Sequence, residues 1–90
     1  MAERRGRPRI PFVEIAAYRV LDTVVIPEAG IGQTVTLSCE GVLLRTQHSL
    51  RVGLRIELNV GHLIARGRVT QFRSGCAAIL FDRASGVERC

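Results

Sequence analysis

Four arginines fall within six residues of the chain, Arg4-Arg5-Gly6-Arg7-Pro8-Arg9. Gly6 and Pro8 keep this stretch out of a stable helix, and in an extended chain Arg5 and Arg9 lie roughly 13 Å apart. That separation suits wrapping a bulky anion more than clamping one phosphate. Each guanidinium is a planar fork that pairs with phosphate through two hydrogen bonds and can also stack on a base. A solvated basic tail that only improves solubility has the same composition.

A second group is Thr36-Leu37-Ser38-Cys39-Glu40-Gly41. On a strand, positions i and i+2 share a face, so Thr34, Thr36 and Ser38 are expected to share an outer polar face, with Thr36 and Ser38 pointing together away from a core side formed by Val35 and Leu37. Their hydroxyls offer paired donors and acceptors. Gly41 permits a positive φ or a close backbone approach by a ligand. A polar outer face leading into a glycine turn, common in antiparallel sheets, has the same pattern.

Little else suggests chemistry. His48 and His62 stand alone beside turn residues, without a Ser, Cys or Asp at a spacing that would make a nucleophile and its base. The acidic residues form no close pair for general acid/base work, so no catalytic residue is assigned and the chain is read as a non-enzyme. Cys39, Cys76 and Cys90 form an odd set with no Cys-x-x-Cys pair, so no metal site is indicated. Cys39 and Cys76 fall in strand-like stretches and read as small, buried or half-buried residues.

The elements that must carry these groups show a period of two. Val13 to Leu21 alternates Val13, Ile15, Ala17 and Leu21 with Glu14, Ala16, Tyr18 and Val20. Thr23-Val24-Val25-Ile26 continues that strand or forms a short one of its own. Glu28 to Gly32 reads as a turn or loop from its glycines. Strands follow at 33–38, 42–46, 54–60, 63–72 and 76–81, with a bulge or bend expected at Gly67. Six or seven short strands without a helical segment predict an all-β fold, a small antiparallel sheet closed into a β-barrel, which leaves no exposed edge. Residues 1–11 form a flexible Arg-rich arm, 12–82 the barrel and 83–90 a tail.

At ninety residues, 47% hydrophobic and 23% charged, the chain has the balance of one ordinary folded domain with a thin core. A surface site is therefore expected in place of a deep pocket. The net charge of +5 comes from thirteen arginines and no lysine, which points to anionic partners. The lysine-free composition itself is read as genome bias, and only the placement of the arginines as evidence. No apolar run is long enough to span a membrane and the N-terminus lacks a signal-peptide pattern, so a cytoplasmic protein with no membrane insertion is expected.

Taken in order, the R-x-x-x-R arm (Arg5 to Arg9, preceded by Arg4), a strand, and the run from Thr36 through Ser38 to Gly41 resemble the PilZ domain. That family carries D/N-x-S-x-x-G at the second position. The resemblance continues through Gly41-Val42-Leu43-Leu44-Arg45-Thr46, Leu50 to Leu58, Gly67-Arg68-Val69 and Cys76 to Phe81. It implies a six-stranded barrel that binds the bacterial second messenger cyclic di-GMP at its rim. Arg4, Arg5 and Arg9 would grip phosphate and guanine, Arg7 would assist, and Thr36, Ser38 and Gly41 would contact the nucleotide from the sheet. The ligand is the only small molecule implied; no cofactor is. Ordering of the arm around it would change the surface seen by a protein effector partner.

Thr36 departs from the family pattern, which has Asp or Asn there. It keeps a hydroxyl but loses the longer side chain's reach, an expected cost of about 1–3 kcal/mol, or roughly ten- to hundredfold in affinity. Binding is expected to be weakened and not abolished. An alternative is a PilZ-type adaptor that works through protein contacts without the nucleotide. Nucleic acid is disfavoured as a partner because Phe12, Tyr18, Phe72 and Phe81 are the only aromatic platforms.

Overall fold

The computed structural model describes residues 9–22 and 29–82. Among the described residues every regular element is a strand: β1 (Ile10–Pro11), β2 (Ile15–Val20), β3 (Ala29–Leu37), β4 (Gly41–Thr46), β5 (Arg55–Val60), β6 (Leu63–Arg73) and β7 (Cys76–Phe81). Their lateral order is β1-β3-β2-β5-β6-β7-β4, and β4 returns to pair with β3. Strands β2 to β7 thus close into a six-stranded antiparallel barrel, with β1 as one additional short strand. Closure satisfies the backbone groups that an open sheet of this size would leave at its edges.

Alternation along the strands decides what lies inside. On β2 the inward face is Ala16, Tyr18 and Val20, whereas Ile15, Ala17 and Arg19 face out. Leu44, Ile56, Leu58 and Val69 are the largest apolar side chains fully enclosed, and Leu50 and Leu54 join the same core from the β4–β5 connection. Tyr18 is 2% exposed and its hydroxyl has no hydrogen-bond partner among the described residues. Burial raises its pKa above the ordinary tyrosine value.

Several expectations need correction. Ala29 to Gly32 is the first part of β3 and not a loop. Its glycines serve packing: a Cβ on Gly30 would meet the Tyr18 ring and hydroxyl, and one on Gly32 would meet the Arg45 carbonyl oxygen. The irregularity in β6 lies between Val69 and Gln71, not at Gly67, which stays in register opposite Phe81. Gly67 is instead where the Leu80 carbonyl comes too close for any Cβ. Thr34 does not share an outward polar face, being 1% exposed. Cys39 and Cys76 are half-buried, as expected, but Cys39 is disulfide-bonded while Cys76 is a free thiol. The strand expected over Thr23 to Ile26 and the tail from residue 83 lie outside the described residues.

The hairpin joining β6 to β7 shows sequence dictating a turn. Ser74 and Gly75 both take positive φ, 53° and 79°, the pair of left-handed residues whose twist matches two antiparallel strands. His48 and His62 are exposed in non-strand connections, as their turn-like surroundings suggest.

Candidate functional site

The rim where β1, β3 and β4 meet is built on an irregular stretch of β3. Both β1 and β2 pair with β3: Ile10 and Pro11 lie opposite Leu37 and Thr36, and Ile15 lies opposite Gln33. Phe12, Val13 and Glu14 must therefore be matched by only Thr34 and Val35. Such a mismatch leaves backbone groups without their ladder partners, and a buried orphan of this kind costs about 1–3 kcal/mol.

Thr34 supplies the missing partners. Its hydroxyl donates to the Phe12 carbonyl and accepts the Glu14 N–H at 2.8 Å. Its own N–H donates to the Glu14 carbonyl at 2.9 Å, and the Phe12 N–H donates to the Val35 carbonyl at 3.0 Å. On the other side of β3 the register with β4 shifts between Thr34 and Thr36. Side chains on either side of the shift need not follow simple alternation, which is how Thr34 turns inward while Thr36 remains accessible.

The root of the arm, held this way, carries Arg9 to the rim. Arg9 Nη1 donates to Thr36 Oγ1 at 3.3 Å. Beyond β3, Ser38 closes the turn into β4: its Oγ accepts the N–H of Glu40 at 3.1 Å and that of Gly41 at 3.3 Å, and its N–H donates to the Gly41 carbonyl at 2.9 Å. The Ser38 hydroxyl proton has only a 3.5 Å contact with that carbonyl. It is too long to be a strong bond, so the proton can turn toward an incoming acceptor.

Gly41 is opposite Leu80, and a Cβ there would run into the Ile79 carbonyl oxygen. The close approach that this glycine permits is that of β7. Arg9, Ser38, Glu40, Gly41, Thr70 and Leu80 surround a shallow cleft of about 80 Å³. It is far smaller than pockets that enclose a whole ligand, which run from about 300 Å³ upward. A larger depression, about 550 Å³, lies elsewhere on the surface between Ile15, Ile31, Gln33, Arg45 and His48. None of the residues singled out for ligand binding lines it.

The structure thus brings together Arg9, Thr36, Ser38 and Gly41 around one end of β3. Arg4, Arg5 and Arg7 lie outside the described residues. Sequence reasoning passed over Thr34, which holds the arm's root, and Thr70, which sits at the β6 irregularity and donates to the Ala78 carbonyl at 3.2 Å. Both follow from register shifts that strand spacing does not reveal.

Away from the rim, charge is neutralised locally. Glu57 on β5 accepts from Arg19 Nη2 at 2.9 Å and from Arg66 Nε at 3.1 Å. Hydrogen bonds from Arg19 and then Arg66 hold its carboxyl below the ordinary glutamate value. Among the described residues no cluster of three or more His, Cys, Asp or Glu could hold a metal, and no helix is long and apolar enough to cross a membrane.

No family model matches the chain, and no curated protein matches it. Among solved structures it is similar to the crystal structure of the PilZ domain of CeSA from a cellulose synthesizing bacterium. The TM-score is 0.68 at 18% identity, over 83% of this chain and 80% of that one. With six strands closed in this order and a short strand laid against β3, the chain has the fold of a PilZ domain.

Proposed function

We propose that this PilZ-fold domain is a cytoplasmic receptor for cyclic di-GMP, a binding module and not an enzyme, needing neither metal nor cofactor. The observation that carries the reading is the convergence of Arg9, Thr36 and the Ser38–Gly41 turn on one rim. A cyclic dinucleotide has two phosphates and two purines, for which guanidinium forks supply both bidentate hydrogen bonds and stacking planes. Arg9 serves one phosphate or guanine from the root, with Arg4, Arg5 and Arg7 completing the grip from the arm. Ser38 contributes its hydroxyl proton, Thr36 its hydroxyl, and Gly41 backbone atoms at the edge of the cleft. Closure of the arm over the ligand changes the outline of the rim, which a protein effector can read.

Calorimetry tests this reading. Wild-type protein is expected to release or absorb heat with submillimolar cyclic di-GMP, and Arg5→Ala and Arg9→Ala each to weaken binding by roughly tenfold or more. No heat with the wild type, or unchanged affinity in both variants, overturns it.

One observation favours a second reading, a nucleotide-independent adaptor. Thr36 stands where the resemblance expects Asp or Asn, and its hydroxyl is already engaged by Arg9. This reading expects no thermal shift with cyclic di-GMP, and Thr36→Asn to create one.

A further inference from the structure

Two threonines flank the irregular point of β3 and do different things. Thr36 receives a guanidinium at the surface, whereas the hydroxyl of Thr34, a residue enclosed at 1% exposure, bonds among the described residues to backbone of the segment leading out of the arm. We infer that Thr34 is a positioning residue for the ligand site: its hydroxyl bridges Phe12 and Glu14 across the register mismatch and so fixes Arg9 over the Thr36–Ser38 rim. The inference rests on the cyclic di-GMP reading of that rim for its functional half, and on the hydrogen bonds alone for its structural half.

The chemistry favours this specific residue. The position needs a group that donates to one carbonyl and accepts from one N–H two residues further on, which a hydroxyl does and an aliphatic side chain cannot. Pro11 has no N–H to add, and Ile10 and Pro11 are both exposed, so the short strand β1 has little burial of its own to hold it. Apart from the Phe12 packing against the core, the Phe12 N–H bond to Val35 and the short β1–β3 pairing, the fastening of this segment passes through Thr34. Loss of the hydroxyl leaves the Glu14 N–H and Phe12 carbonyl without their partner while Thr36 and Ser38 stay in place. Arg9 then samples more positions, and part of the binding energy goes into ordering it.

The test pairs Thr34→Val, close in shape but without the hydroxyl, with Thr34→Ser, which keeps it. Amide hydrogen exchange on ligand-free protein should show Glu14 exchanging about tenfold faster in Thr34→Val, with Ile56 and Leu58 unchanged relative to the wild type. Titration with cyclic di-GMP should show an affinity about five- to tenfold weaker in the same variant. Thr34→Ser should restore both. Unchanged Glu14 exchange in Thr34→Val, or equal acceleration at Ile56 and Leu58, overturns the fastening role. A loosened Glu14 with wild-type affinity overturns the positioning role. Absence of heat with the wild type instead overturns the ligand reading and, with it, the functional half, while the exchange data still decide whether Thr34 fastens the segment.

Discussion

The β5–β6 wall and the β1–β3–β4 rim lie in one sheet but are held by different means. From Arg55 opposite Arg68 to Val60 opposite Leu63, β5 and β6 pair without interruption. Their inward side chains fill the core, and outside them Glu57 answers Arg19 and Arg66. Along β3 the register shifts toward β4 and again between β1 and β2, and hydroxyls take over bonds that a ladder would otherwise make. Regular pairing leaves no group over for a ligand. Irregular pairing exposes backbone and side-chain partners, and needs individual residues to keep it in order.

The largest effect should come from the wall. Ile56→Ala removes a fully buried side chain from β5 and is expected to cost about 2–5 kcal/mol in urea unfolding. Its folded fraction should bind ligand as the wild type does. A mild loss, or a change in affinity, would mean that wall and rim are not separable. Gly41→Ala comes next, because its new methyl must displace the Ile79 carbonyl. A loss of about 1–3 kcal/mol is expected, and near-neutrality in the same assay would show that the β4–β7 approach has slack.

The smallest effect is at Glu57. Its depressed pKa makes the contribution of the Arg19–Glu57–Arg66 group complete above the ordinary glutamate value, and that contribution disappears as pH falls through the lower folded-state value. Melting temperature should therefore drop more between neutral and acid pH in the wild type than in Glu57→Gln. At neutral pH the variant should melt only slightly lower, since exposed ion pairs contribute little. Identical acid profiles would remove Glu57 from the account.

The same contrast marks how far the sequence could be read. Regular strands were legible: Leu54, Ile56, Leu58 and Val60 alternate with polar neighbours, and all four are buried. The rim was legible only in its motif residues. Gly30 and Gly32 look like turn signals but are strand positions cleared for Tyr18 and for β4. Thr34 and Thr36 are both β-branched, polar and two residues apart, so alternation assigns them one face. A register shift separates them, and it arises from pairing between segments distant in sequence, which spacing within either segment does not encode. Arg9 could be named in advance, whereas its contact with Thr36 depends on that pairing.

Ring closure also sets how the molecule can open. Two of the pairings in the ring join residues far apart in the chain, Ala17 with Asn59 and Gly41 with Leu80, so their formation is entropically slow and their rupture comes with unfolding of the whole domain. Among the described residues strand β1 pairs with β3 alone. Residues 9–14 can therefore lift from β3 and settle again by breaking a few hydrogen bonds and the Phe12 packing, on the timescale of local fluctuation, while the barrel beneath them stays shut.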